Sequence, residues 1–131
     1  MSDTLRHVGA ALTLFVGAIH LQQYLDLLKD VPTIGELFLL NSAGAGVLAA
    51  LLVTRLQVPA ALGAIGLSLG SLVSILISRT DGGLFDYVEP TFRAPVALAV
   101  IAEIVAVVVL AAFLLLERRS AAVGRPSSRI A

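Results

Sequence analysis

The chain contains no cysteine. Disulfides, thiolate metal sites, iron–sulfur clusters, cysteine nucleophiles and quinone-linked dithiol chemistry are excluded with it. Charge is scarce as well: Asp, Glu, Lys and Arg make up 14% of the 131 residues and cancel to a net charge of zero. The few aromatics, 5% of the chain, are not interleaved with the arginines, which argues against nucleic-acid binding. No P-loop, glycine-rich dinucleotide fingerprint or nucleophile elbow is present, so Ser68, Ser71 and Ser74 are hydroxyls without a base spaced to activate them. The two histidines, His7 and His20, would stand about 20 Å apart along one helix, too far to share a haem within one chain. HxxxH and ExxH spacings are also missing, and His20, Glu36 and Glu103 would make a His–carboxylate metal set only if helix ends bent together.

Apolar residues are abundant. They make up 58% of the chain, and the mean hydropathy is +0.97, which sets it apart from ordinary soluble domains. A hydrocarbon core about 30 Å thick needs about 20 apolar residues in a helix, and four stretches reach that length: 7–28, 33–54, 58–78 and 94–117. The expected fold is therefore all-α, an integral-membrane up-down four-helix bundle over residues 1–117, with lipid as its surroundings. The first run is too long and too polar for a cleaved signal sequence, because it carries His20, Gln22 and Gln23, and it reads as a retained span.

The connections are short. Lys29 to Pro32 makes a tight hairpin, with Thr33 as the expected N-cap of the next helix and Glu36 as the returning carboxylate of a capping box. Arg55 to Pro59 links the second and third runs. The longest connection, 79–93, holds the turn signal Asp81-Gly82-Gly83 and then Leu84, Phe85, Tyr87 and Phe92 among Asp86 and Glu89. Two readings stand for it: a segment lying in the interface with its acids in water, or a solvated loop. Arg6, Arg55, Arg118, Arg119, Arg125 and Arg129 fall on one side against Lys29, Arg79 and Arg93 on the other, so both termini are expected in the cytoplasm of an inner-membrane protein. Residues 118–131 read as a basic, poorly ordered cytoplasmic tail.

Close packing of helices in lipid depends on small residues. Gly66, Gly70, Ser74 and Ser78 form one such stripe on the third run, Gly9, Thr13 and Gly17 another on the first, and Ser42 with Gly46 a third. The same Gly66, Gly70 and Ser74 face is the expected seat of a second copy or of a membrane-protein partner.

Glu103 stands near the middle of the most apolar run, where an ionised carboxylate costs at least a few kcal/mol unless it is paired or protonated. Counting inward from the helix ends on the side of the 79–93 connection, His20, Asn41 and Glu103 fall within about 2 Å of one depth. Ser71 and Ser74 complete the layer from the third run. Thr13, Gly17, His20 and Tyr24 share one face of the first helix, and Ala99 and Ala106 are small neighbours of Glu103. Gln22, Gln23, Tyr24, Asp26 and Glu36 form a shallower tier of interfacial residues, of which Tyr24 and Glu36 are the ones placed to line a mouth.

Gly17-Ala18-Ile19-His20-Leu21, Ile34 to Asn41, Arg93-Ala94-Pro95 and Ala102-Glu103 resemble small four-span membrane proteins of GC-rich bacteria, a likeness that covers nearly all the spans. In size and layout the chain is also similar to DoxX-like four-helix proteins. The resemblance implies the architecture and brings no activity or cofactor with it. From the residues themselves the leading expectation is a non-enzymatic membrane protein whose His20, Asn41 and Glu103 layer binds a small ligand or a proton, alone or in a larger assembly. The alternatives are an accessory subunit whose polar layer only sets helix packing, and a small redox protein binding haem or quinone.

Overall fold

The computed structural model describes residues 1–89 and 92–124. Four long helices account for most of these: α1 (Ser2–Gln23), α2 (Ile34–Leu52), α3 (Gln57–Ser78) and α4 (Ala94–Val123). Among the described residues there is no β-strand, only an isolated bridge between Leu84 and Tyr87. Each helix is long and apolar enough to cross a membrane.

The helices form a ring in which neighbours in sequence are neighbours in space: α1 packs along α2 and α4, α3 packs along α2 and α4, and α1 barely meets α3. Side chains tie the ends together. Ser2 donates to Glu117, and Arg6 reaches Gln57 at 2.5 Å, which brings the starts of α1 and α3 to the end of α4. At the opposite end, Arg93 of the last connection reaches Gln23 of α1.

The interior has two halves. Near the termini it is dry and apolar, a cluster of Ala10, Leu52, Ala60, Ala61, Ala64, Leu110 and Phe113. Small residues on α1 and α3 let the backbones approach here: a β-carbon on Gly9 would collide with Leu110. Midway along α1, a β-carbon on Gly17 would lie 2.8 Å from that of Ala45 and 3.3 Å from the Ser42 carbonyl oxygen. The expected packing role of the Gly9, Thr13 and Gly17 stripe therefore holds. The other two stripes behave differently. A β-carbon on Gly46, Gly66 or Gly70 would meet nothing within 4 Å, and α3 instead turns Ala60, Ala61, Ala64, Ser68 and Ser78 inward.

The ends of the helices also depart from expectation. Helix α1 begins at Ser2 and finishes in a π-turn, Tyr24–Leu28, in which the Lys29 N–H bonds the Tyr24 carbonyl. This wider turn delays the inward face by one residue, so Leu28 is 2% exposed while Leu27 is 56% exposed. Thr33 does cap α2, but no side-chain bond is made, and its φ of 67° places a β-branched residue in left-handed backbone. The capping box with Glu36 is absent for that reason. Helix α4 continues six residues past 117 as helix to Val123, so the start of the expected tail is ordered; Arg125 and Arg129 lie outside the described residues.

Candidate functional site

The half of the interior away from the termini is polar. Helix α1 delivers His20, which is 6% exposed, and α4 delivers Glu103, which is 1% exposed and among the largest fully buried side chains. The imidazole Nδ1–H donates to the Val16 carbonyl at 2.9 Å, one turn back on the same helix. That bond selects the tautomer, leaving the Nε2 lone pair to face the bundle. Ser71 of α3 meets it there, its hydroxyl donating across 3.2 Å. Phe38 of α2 closes the other side, its ring centroid 4.9 Å from that of the imidazole.

Glu103 Oε1 stands 3.8 Å from His20 Nε2. This is ion-pair range but too long for a hydrogen bond, and Oε1 is a buried oxygen with no hydrogen-bond partner. Leaving a carboxylate oxygen unsatisfied away from water costs on the order of 1–3 kcal/mol or more. Glu103 borders a cavity of about 80 Å³ walled by His20, Ser71, Phe38, Ala99 and Val100 and extending toward Gln23, Tyr87 and Glu89. At about 30 Å³ per molecule of liquid, that space suits two or three waters.

The 79–93 connection covers the open end of this cavity. Its Glu89 N–H bonds the Ser78 carbonyl at 2.8 Å, pinning the connection to the end of α3. Glu89 is 5% exposed. Its carboxylate accepts from the Tyr87 hydroxyl at 2.8 Å and from Arg93 Nε at 2.9 Å, while Arg93 Nη1 donates to Gln23 at 2.8 Å. Burial, then the hydrogen bond to Glu89, pushes the Tyr87 phenol up to about 12. The bond to Glu89 likewise raises Arg93 above its ordinary value. The expectation that Glu89 sits in water is thus corrected: the connection folds back, and its acid is buried as the centre of a plug. Phe85 and Phe92 point outward from it at 62% and 51% exposure, with the Arg79 guanidinium 5.6 Å from the Phe92 ring centroid. These exposed aromatics agree with a segment lying in an interface more than with a solvated loop.

Of the predicted residues, the structure brings together His20, Ser71 and Glu103. Ser74 also borders the cavity, but its hydroxyl is committed to the Gly70 carbonyl at 2.8 Å. Asn41 is buried yet does not border the Glu103 cavity; it lines an adjoining groove of about 340 Å³ between α2 and α3, whose walls also include His20, Ser71 and Ser74. Tyr24 and Glu36 line neither space, and Glu36 is exposed on α2. The plug of Gln23, Tyr87, Glu89 and Arg93 closes the cavity in their place. The sequence signal for it was the pair Glu89 and Arg93, four residues apart immediately before an apolar helix. Compared with protein-family models, curated proteins and solved structures, the chain matches none.

Proposed function

We propose that the chain is a multi-pass membrane protein, an up-down four-helix bundle with both termini in the cytoplasm, and that His20, Ser71 and Glu103 form an intramembrane site that takes up a proton. The helix surfaces support the membrane reading. Only 22–44% of each apolar window is buried, so residues such as Leu14, Leu62, Leu76, Ile101 and Val108 are left exposed around the whole circumference. A surface that apolar is stable in hydrocarbon and not in water. The tied helix ends and short connections support alternating helix directions.

The buried, unpartnered Glu103 Oε1, 3.8 Å from His20 Nε2 in a side chain that borders a small cavity, carries the proton reading. With neutral His20 and an ionised Glu103, the site holds one uncompensated negative charge in a low dielectric. Adding one proton yields either an imidazolium–carboxylate pair or a carboxylic acid beside a neutral imidazole, and each removes that charge. Ser71 can serve both states, since its hydroxyl donates to the Nε2 lone pair and turns to accept once Nε2 carries hydrogen. One water or a small side-chain rotation bridges the 3.8 Å gap. The cavity is well under the roughly 300 Å³ at which cofactor-sized sites begin, which weighs against haem or quinone beside Glu103.

Infrared difference spectroscopy on liposome-reconstituted protein tests the reading. As pH falls, either a carboxylic C=O band or an imidazolium ring band should appear, a carboxylic band should vanish in Glu103→Gln, and either should shift in Ser71→Ala. A folded wild-type protein in which neither band titrates overturns it, as does a carboxylic band that survives in Glu103→Gln.

A further inference from the structure

The groove between α2 and α3 is a second site, and we propose that it binds a membrane-dissolved alcohol, an apolar molecule carrying one hydroxyl. The inference rests on the membrane reading of the chain and not on the proton site.

Asn41 makes the case. Its side chain is 8% exposed and faces the groove, and its Oδ1 is buried without a hydrogen-bond partner. An unmet amide oxygen at mid-depth in hydrocarbon is a standing cost that a ligand donor would remove. The space around it is built to admit one. Gly66 and Gly70 form part of the floor, and a β-carbon on either would meet no atom within 4 Å, so their smallness leaves room instead of bringing helices together. The groove volume of about 340 Å³ falls at the lower end of small-molecule sites, about four times that of the Glu103 cavity.

Its walls decide the chemistry. Leu37, Phe38, Leu40 and Leu67 present hydrocarbon, and the flanking exposed Leu69 and Val73 would face lipid. No Lys, Arg, Asp or Glu lines it, and His20, its one titratable lining residue, has Nδ1 bonded to the Val16 carbonyl and Nε2 against Ser71, so a phosphate or carboxylate headgroup would enter without a cationic partner of its own and at high cost. A hydroxyl fits: it accepts from the Asn41 NH2 or, once the amide turns the covered Oδ1 toward the groove, donates to that oxygen. Entry is from the bilayer, because the groove opens sideways between helices.

Photolabelling of the full chain in phosphatidylcholine liposomes with a diazirine-bearing hexadecanol is the test. Label should concentrate on the α2 and α3 peptides that border the groove, and excess hexadecanol should compete it away where hexadecane does not. Asn41→Leu should weaken the preference for alcohol over alkane by about threefold to tenfold, the value of one hydrogen bond. Gly66→Leu, which fills the floor at a position with open space, should reduce labelling by either probe. Label spread evenly over all outward helix faces overturns the proposal, and so does equal competition by hexadecane. Chain-to-chain crosslinks at the groove that exclude the probe also overturn it, because the occupant is then a second copy. Failure of the chain to insert into liposomes would defeat the membrane reading itself, whereas loss of alcohol preference in inserted protein defeats only this site.

Discussion

Replacing Glu103 by leucine separates a binding site from a structural strut by the sign of its effect on stability. Glu103 is 1% exposed, its Oε1 has no hydrogen-bond partner, and His20 Nε2 stands 3.8 Å from that oxygen. His20 does not depend on it, since Nδ1 is bonded to the Val16 carbonyl and Nε2 to Ser71. Glu103→Leu therefore removes an unsatisfied buried group and strands no other. The unmet oxygen is worth roughly 1–3 kcal/mol, and leucine is close to glutamate in size, so overpacking in a site that already borders a cavity costs less than about 1 kcal/mol. The net expectation is a gain of about 1–2 kcal/mol, obtained at the expense of proton uptake. Reversible unfolding in mixed micelles, followed by circular dichroism against increasing dodecyl sulfate, measures it. A loss of 1 kcal/mol or more, with the helix content of the folded state unchanged, would refute the reasoning, for it would mean that Glu103 holds the bundle together.

Tyr87 should titrate near 12 in the folded protein, and the midpoint of its phenolate absorbance should fall in Glu89→Gln yet stay above about 10, because burial, the larger cause, remains. Because the folded value lies above the unfolded one, the phenol's contribution to stability is complete below about pH 10 and lost between about 10 and about 12. Glu89→Ala should open the plug and speed exchange of buried amides near the outer ends of α1 and α3, read by hydrogen–deuterium exchange, while amides of the apolar half near the termini keep their protection. Gly17→Val should destabilise by about 1–3 kcal/mol through collision with Ala45 and Ser42, whereas Gly46→Ala, with open space at its β-carbon, should be neutral or gain up to about 1 kcal/mol in helix propensity; parallel micelle unfolding curves check the pair. Thr33→Gly relieves the φ of 67° and should raise stability by a few tenths of a kcal/mol to about 1 in the same assay.

Depth was legible in the chain and direction was not. Residue counts from the helix ends place His20, Ser71 and Glu103 at one level because every helical residue advances 1.5 Å whatever surrounds it. Counting also places Asn41 there, and it is buried. The facing of each side chain around its helix had a weaker signal, since helices that are apolar on all sides offer little contrast between an inner and an outer face. Asn41 thus shares a groove with His20 and Ser71 but does not border the Glu103 cavity, and Gly66 and Gly70 border open space where no helix of the same chain packs. The π-turn that begins at Tyr24 had no signal either, since a helical wheel assumes 3.6 residues per turn, and it moves Leu28 to the inward position in place of Leu27.

The sequence by itself determined four apolar helices, their short connections and a polar level at the depth of Glu103, because length and hydropathy are properties of the chain alone. Only the tertiary structure decided which polar residues share a space. The close approach of α1 to α2 at Gly17, the turn of α3 that points Ser71 at His20, and the folding back of the last connection to bury Glu89 each depend on contacts between residues distant in sequence. Those contacts divided the layer into two adjoining spaces that share His20 and Ser71: one bordered by Glu103 beneath the last connection, the other by Asn41 between α2 and α3.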